Sequence, residues 1–203
     1  MKFIFKNFVF AALLVSCLHL SAQKTKITKL EYTSAGDRLK PDNAIFYGNF
    51  WARQMSWLKS GYQQYIELRS EDTKEVFIFE AMPYLKSKQN VFSFRIKPGT
   101  YRIIQFRWSE DKGFYRTIHF EPVFKNVNAA DSLQVRITRG EIKPDTLKYF
   151  SFHVDGGKLY YLGTWNFKTG MASFTDDKAE TDKKAKRDYF NLDFDQAITE
   201  LPE

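Results

Sequence analysis

The residues whose types and spacing come closest to catalytic chemistry are His153 and Asp155. They stand two positions apart in a predicted strand, so both side chains would project from one face, where the carboxylate could orient the imidazole as a base. The alternative is a surface histidine beside an aspartate that braces the turn at Gly156 and Gly157. Because the surrounding sequence supplies mainly aromatic residues and lysine, we predict that His153 and Asp155 catalyse nothing.

Other catalytic chemistry finds little support in the sequence. His119 lies in another predicted strand, without the convergent ligands that a zinc or iron site needs. Glu80 and Glu121 are carboxylates in apolar surroundings, which leaves open a small secreted hydrolase that uses a carboxylate pair. The sequence has no nucleophile elbow, P-loop, Rossmann fingerprint or zincin helix. No metal or cofactor is predicted.

The aromatic residues suggest binding instead. Trp57 lies in a connection between two predicted strands, and a loop tryptophan often marks a contact surface, so Trp57 is the predicted ligand contact. Trp51, Trp108 and Tyr160 could join it in a platform for sugar rings. The alternative is that these three side chains belong to the core.

Residues 1–23 have the three parts of a signal peptide. Lys2 and Lys6 supply a positive start, residues 8–15 (FVFAALLV) an apolar run, and residues 21–23 (SAQ) a cleavage site with small residues. The apolar run is shorter than the roughly 20 residues that a membrane-spanning helix requires. The chain is therefore expected to be exported to the periplasm or to a site associated with the outer membrane.

Cys17, the only cysteine, lies inside this leader. Residues 14–17 (LVSC) fit a lipobox, in which the cysteine is acylated and becomes the new N-terminus. Cleavage after residue 23 would instead remove Cys17, and both alternatives stay open. Without Lys2 and Lys6 the chain has 29 cations against 24 anions, scattered along the sequence. This pattern argues against nucleic acid as a partner, and a lipid anchor on Cys17 would be the only link to a membrane.

The body of the chain is predicted to be mainly β, an antiparallel β-sandwich or partly closed barrel of about nine strands. Phe94 and Phe152 lie in the middle of alternating stripes and are the predicted core positions. Pro98 and Gly99 predict a type II turn, with a positive φ at Gly99, and residues 155–158 (DGGK) predict a second hairpin. The strands are expected at residues 27–32, 44–51, 62–69, 75–81, 91–97, 101–108, 114–120, 133–138, 148–154 and 159–167.

The C-terminal region changes character. Residues 176–190 begin with acids and end with bases, which suits the helix dipole and predicts a surface helix docked by its C-terminal end. Residues 24–42 are polar and rich in turn signals, and they are expected to form a tether or an edge strand. Residues 43–203 would then form a single domain.

Two turn-and-strand motifs resemble a bacterial family of exported proteins and lipoproteins of unknown function. They are residues 97–103 (KPGTYRI), a PGxY hairpin, and residues 152–163 (FHVDGGKLYYLG), a GKxxYxG hairpin. The family's acidic tail is matched with altered spacing by Asp177 and Asp182. The resemblance covers residues 43–192 and implies a β-sandwich, similar to prealbumin-like modules, at the cell envelope. It implies no catalytic residues.

These observations predict a non-enzymatic, exported protein of the cell envelope. Its expected role is to bind an envelope protein or a glycan through a β-sandwich module. The sequence does not identify the ligand.

Overall fold

The computed structural model describes residues 27–34, 36–51, 63–81, 89–111, 114–129 and 133–203. The predicted leader, Cys17 and Trp57 lie outside the described residues. Within those residues, eleven strands form two sheets, with a helix near the C-terminus. The mainly β, sandwich-like architecture predicted from the sequence is confirmed, and the sheets do not close into a barrel.

The first sheet has six strands. In spatial order they are β1 (Ile27–Lys29), β4 (Val76–Glu80), β3 (Gln64–Ser70), β6 (Gly99–Asp111) and β7 (Arg116–Pro122), with β8 (Phe150–Val154) also paired to β6. β3 occupies one edge of β6, so β7 and β8 share its other edge. They lie end to end there, β7 opposite residues 105–111 and β8 opposite residues 99–103.

The second sheet has five strands. In spatial order they are β10 (Ser173–Thr175), β9 (Leu159–Asn166), β2 (Ala44–Trp51) and β5 (Gln89–Ile96), with β11 (Ile198–Thr199) also paired to β9. Most neighbours in the two sheets are antiparallel. The pairs β1–β4, β2–β9 and β9–β11 are parallel, because the chain repeatedly crosses from one sheet to the other between strands.

Both predicted hairpins are instead corners between the two sheets, which corrects the sequence interpretation. Pro98 leads from β5 in the second sheet to β6 in the first, and residues 155–158 lead from β8 in the first sheet to β9 in the second. Gly99 has the predicted positive φ, +146°, but the Thr100 N–H donates to the Asp72 carboxylate (3.4 Å) rather than closing a type II turn. Turn residues specify that the chain changes direction, and packing decides which sheet it joins next.

The glycines of the second corner are required by close packing. A Cβ at Gly156 would lie 2.0 Å from the Pro41 carbonyl oxygen. Gly157 has φ +74°, a conformation that residues with a side chain rarely adopt. This corner therefore packs closely against Pro41, in the segment that precedes β2.

Residues 133–138, predicted as a strand, form a short helix, α1 (Leu133–Thr138). Its β-branched residues (LQVRIT) favoured a strand in the sequence. Leu133 and Ile137, however, are four residues apart, so a helix places both on one face, and both line the same cleft. Packing of this pair along the cleft, with Leu133 buried and Ile137 partly buried, favours the helix.

The core between the sheets is a cluster of aromatic rings. Phe94 and Phe152 are both buried in it, which confirms the two core positions predicted from the sequence. Trp165 lies at its centre and donates from its indole nitrogen to the Leu162 carbonyl (2.7 Å). Each such ring contributes about 1.5–3 kcal/mol when fully buried, so this cluster is the main source of stability.

The predicted C-terminal helix is α2 (Lys178–Asp188), and it lies on the outer face of the second sheet. Its buried residues, Thr181 and Ala185, face a smaller apolar cluster that includes Tyr47. The Tyr47 hydroxyl donates to the Asp182 carboxylate (2.6 Å) and fixes the helix to the sheet. Among the described residues, no helix combines the length and the apolar composition needed to cross a bilayer.

Candidate functional site

A cleft of about 610 Å³ runs beside β7, which is an edge strand of the first sheet. Four consecutive residues, 119–122, line one wall. Consecutive side chains of a strand point to opposite faces of the sheet, so a cleft on one face could not contact all four residues. A cleft along the edge of the strand can. The cleft therefore follows the edge of β7. The opposite wall is mainly apolar and consists of Leu133, Ile137, Pro144, Leu147 and Tyr149.

One end of this β7 cleft is closed by a short antiparallel bridge. Phe124 pairs with Tyr149, and their rings lie 4.7 Å apart. Next to them the Lys125 N–H donates to the Lys148 carbonyl (2.8 Å). The bridge ties the far wall to the end of β7 and fixes the shape of the cleft.

Two side chains, His119 and Glu121, supply the polar groups of the cleft wall, and buried Trp108 contacts both of them. Trp108 on β6 lies opposite His119 on β7, and their rings stack with centroids 3.8 Å apart at an angle of 8°. The Trp108 indole N–H also donates to Glu121 Oε1 (2.9 Å). One buried indole thus positions an imidazole and a carboxylate beside an apolar cleft. Such a site can hold an apolar group and accept a hydrogen bond from its polar neighbour.

The sequence singled out Glu121 but not its partners. From the sequence, Trp108 is a candidate for the sugar platform and His119 is a histidine without metal-ligand partners, and only the register of β6 against β7 brings the two together. The far wall was missed because residues 133–138 were interpreted as a strand. The spacing of Leu133 and Ile137 was the available signal for it.

Glu80 and Glu121 do not form the carboxylate pair of a glycosidase. Across the first sheet, four residues on neighbouring strands lie in register: Glu80 on β4, Tyr65 on β3, Arg107 on β6 and Phe120 on β7. Residues in register share a sheet face, so Glu80 is on the same face as Phe120. Glu121, one residue on, faces the other way. Three strand intervals separate the two residues, about 14 Å, which exceeds the roughly 5–9.5 Å of catalytic pairs.

Of the four aromatic residues considered as a sugar platform, the three in the described part of the chain do not assemble into one. Trp108 is buried against His119, and Tyr160 is buried in the second sheet, with its hydroxyl donating to Asp155 (3.2 Å). Trp51 carries the Lys168 ammonium 3.4 Å above its ring. Trp57 lies outside the described residues.

A second polar site surrounds His153, on the outward face of β8. Its Nδ1 lies 3.0 Å from the Thr100 hydroxyl, and its Nε2 lies 3.1 Å from Asp155 Oδ1. Hydrogen bonds from Lys158 first, and then from His153 and Tyr160, lower the pKa of Asp155 to about 2. The sequence predicts that His153 and Asp155 project from one face, and in the structure their side chains are hydrogen-bonded to each other.

The surroundings of this pair are open. The side chains of His153 and Asp155 are 54% and 52% exposed. The adjacent groove, about 450 Å³, is lined by Ser151, Glu200 and the C-terminal residues. Water therefore reaches both groups freely. Among the described residues, no three His, Cys, Asp or Glu side chains gather closely enough to hold a metal ion.

Comparisons of the chain with protein-family models, curated proteins and solved structures found no significant match. Function is therefore inferred from the two polar sites and the cleft.

Proposed function

We propose that this protein is an exported, non-enzymatic binding module of the cell envelope that holds a protein or glycan ligand in the β7 cleft. The supporting observation is the cleft itself. Its volume of about 610 Å³ lies within the usual range of ligand sites, and its walls are mainly apolar, with a few fixed polar groups. This is the composition of a site that retains a ligand.

The polar groups are suited to orienting a ligand. Trp108 stacks on His119 and hydrogen-bonds Glu121, so neither group needs to be ordered when a ligand arrives. Preorganised polar groups lower the entropic cost of binding and add specificity. Glu121 would accept a hydrogen bond from an amide, hydroxyl or ammonium group of the ligand.

The test is capture of envelope material by the immobilised mature protein. An envelope extract, purified peptidoglycan and purified lipopolysaccharide are offered separately. Phe120→Asp places a charge on the cleft wall at a half-exposed position, and Phe190→Asp makes the same change on an exposed phenylalanine after α2. We expect Phe120→Asp to abolish capture and Phe190→Asp to leave it unchanged. Capture that survives Phe120→Asp, or no capture at all, would remove the cleft as the binding site.

Export rests on the leader and is tested by intact mass. We expect the exported protein to begin near Lys24, or to begin at Cys17 with the added mass of a diacylglyceryl group. The second mass would identify a lipid-anchored protein rather than a soluble one. A product that retains Met1 would contradict both.

A small hydrolase is the alternative function. The observation that favours it is the hydrogen-bonded chain from the Thr100 hydroxyl through His153 to Asp155. Its open surroundings oppose it, because catalytic groups work best where water is excluded. Hydrolysis of chromogenic ester and glycoside panels by the wild type, absent from His153→Gln, would support this alternative.

A further inference from the structure

The outer edge of β7 presents main-chain groups that are not used to pair with β6. On the other side of β6, the Ser109 N–H donates to the Gln63 carbonyl (3.1 Å), so the main-chain groups of Ser109 point towards β3. Main-chain groups alternate in direction along a strand, so those of residues 105 and 107 point the same way. Residues 106, 108 and 110 therefore bond to 121, 119 and 117 of β7. By this alternation, the N–H and C=O groups of Ile118 and Phe120 point away from the sheet. Within the described residues, β7 pairs with no strand other than β6.

Pro122 supports this assignment. Pro122 lies two residues after Phe120 and four after Ile118, so an N–H at this position would also have pointed away from β6. Proline is accepted in a strand where no ladder hydrogen bond is lost, which is at an edge. The sequence of β7 thus matches an outward edge formed by residues 116, 118, 120 and 122.

This edge is apolar where exposed edges usually are not. Ile118 and Phe120 are 51% and 55% exposed. Proteins normally protect an edge strand with charges, bulges or a covering segment, because an exposed apolar edge pairs with other chains. Here the far wall of the cleft stands beside the edge without pairing to it along residues 119–122. An open, apolar edge beside a cleft fits the addition of a strand from another molecule.

The charge around the cleft indicates the chemistry of that strand. Residues 114–149 contain six Lys or Arg residues and four Asp or Glu residues. Arg136 and Arg139 both lie within 4.0 Å of Glu141, which offsets them locally. Lys143 and Lys148 are exposed cations that flank the cleft residues Pro144 and Leu147, with one exposed anion, Asp145, between them, and Arg116 is an exposed cation at the start of β7, opposite Asp111. A positive rim favours a ligand with acidic residues.

We propose that the ligand is an extended peptide segment of a partner protein, alternating apolar and acidic residues, that adds to β7 as a further strand and places an apolar side chain between β7 and α1. This proposal rests on the proposed function, because it names the ligand class of the same cleft. Main-chain hydrogen bonds to Ile118 and Phe120 would supply affinity, and the cleft would supply side-chain selectivity.

The probe is a phage-displayed library of random nonapeptides, selected on the immobilised mature protein and then resynthesised. We expect selected peptides to alternate apolar and acidic residues. N-methylation of alternate amides in such a peptide removes the N–H donors that face β7 and keeps every side chain. It should weaken binding about tenfold or more, whereas methylation of the intervening amides should weaken it less.

The matched protein variants are Ile118→Pro and Ile118→Ala. Ile118→Pro removes an outward N–H without touching the ladder to β6, and Ile118→Ala removes only the side chain. Binding should fall about tenfold in Ile118→Pro relative to Ile118→Ala. Amide hydrogen exchange gives a readout that does not depend on either variant. Ile118 and Phe120 amides should exchange fast in the free protein and become protected with the peptide.

The outcomes separate this proposal from the proposed function. Library selection that yields no binder, or binders insensitive to amide methylation, overturns strand addition. If glycan or extract capture still depends on Phe120, the binding module stands with a different ligand. If neither peptide nor envelope material depends on Phe120, both proposals fail. Concentration-dependent dimerisation that is lost in Ile118→Pro would assign the edge to a second copy and also overturn the peptide proposal.

Discussion

β7 and β8 lie end to end along the same edge of β6, yet they face different surroundings. The inward side chains of β8, Phe152 and Val154, are buried in the aromatic core between the sheets. On β7 the corresponding side, with His119 and Glu121, is only partly buried and borders a cleft. One strand edge thus serves stability at one end and, by our proposal, binding at the other.

The two histidines make the same contrast. His119 stacks on a buried tryptophan beside an apolar cleft, whereas His153 is hydrogen-bonded but open to water. By residue type alone His153 is the stronger candidate, because an aspartate follows two residues later. By surroundings His119 is the stronger candidate, because its ring is held beside a space that a ligand can enter. Enclosure therefore decides between them.

The largest expected effect comes from truncating the β8 end. Phe152→Ala should lower the free energy of unfolding by about 3–5 kcal/mol through lost burial and a cavity. Phe120→Ala at the half-exposed β7 position should change it by about 0.5 kcal/mol or less. Urea unfolding followed by tryptophan fluorescence measures both. Similar losses in the two variants would show that β7 is as much a part of the core as β8.

Trp108 sharpens the β7 side of the comparison. Trp108→Phe keeps an aromatic ring beside His119 but removes the N–H that donates to Glu121. Loss of a hydrogen bond to a charged group should cost about 1.5–3 kcal/mol. Glu121→Gln keeps an acceptor for the indole and should cost less. Equal losses in the two variants would mean that the hydrogen bond does not hold the carboxylate in place.

The corner at Gly99 leads into the β8 end of β6, and we expect a smaller effect there. Gly99→Ala should destabilise the fold by about 1–2 kcal/mol, because φ is positive at this residue. The added Cβ would also lie 2.9 Å from the Asp72 carboxylate, whose side chain can move. Pro98→Ala is the control, and thermal unfolding should show a smaller change for it. A larger loss for Pro98→Ala would place the constraint on the proline.

Alternation of apolar residues was enough to predict most strands and the buried Phe94 and Phe152, and the order of acids and bases in residues 176–190 was enough to predict the C-terminal helix. These features depend on local period and on burial, which a sequence displays directly. The pairing of strands was not predictable in the same way. PGT and DGGK are turn chemistries compatible with a hairpin or with a corner, and only the packing of two sheets distinguishes them. The cleft required both the β6–β7 register and the helix α1, so neither Glu121 nor Leu133 could reveal it alone.

The smallest expected effects lie at His153 and Asp155, which we predict to be structural at most. Hydrogen bonds from Lys158, His153 and Tyr160 lower the pKa of Asp155 from near 4 to about 2 in the folded protein. A carboxyl group whose pKa is depressed on folding stabilises the fold above its unfolded pKa. That contribution disappears as the pH falls from about 4 to about 2. Asp155→Asn should therefore reduce stability slightly at pH 7 and flatten the loss of stability in that acid window.

His153→Gln is the matched control for this pair, because glutamine can keep a hydrogen bond to Thr100 or to Asp155 but cannot act as a base near neutral pH. We expect both variants to capture ligand in the β7 cleft as the wild type does, since β8's outward face does not line that cleft. Thermal unfolding at pH 2, 3, 4 and 7 measures the linkage, and the capture assay measures the independence of the two sites. A wild-type hydrolytic activity that both variants abolish, with unfolding unchanged at pH 7, would contradict the prediction. It would place the functional site at His153 and Asp155, beside β8, rather than in the β7 cleft.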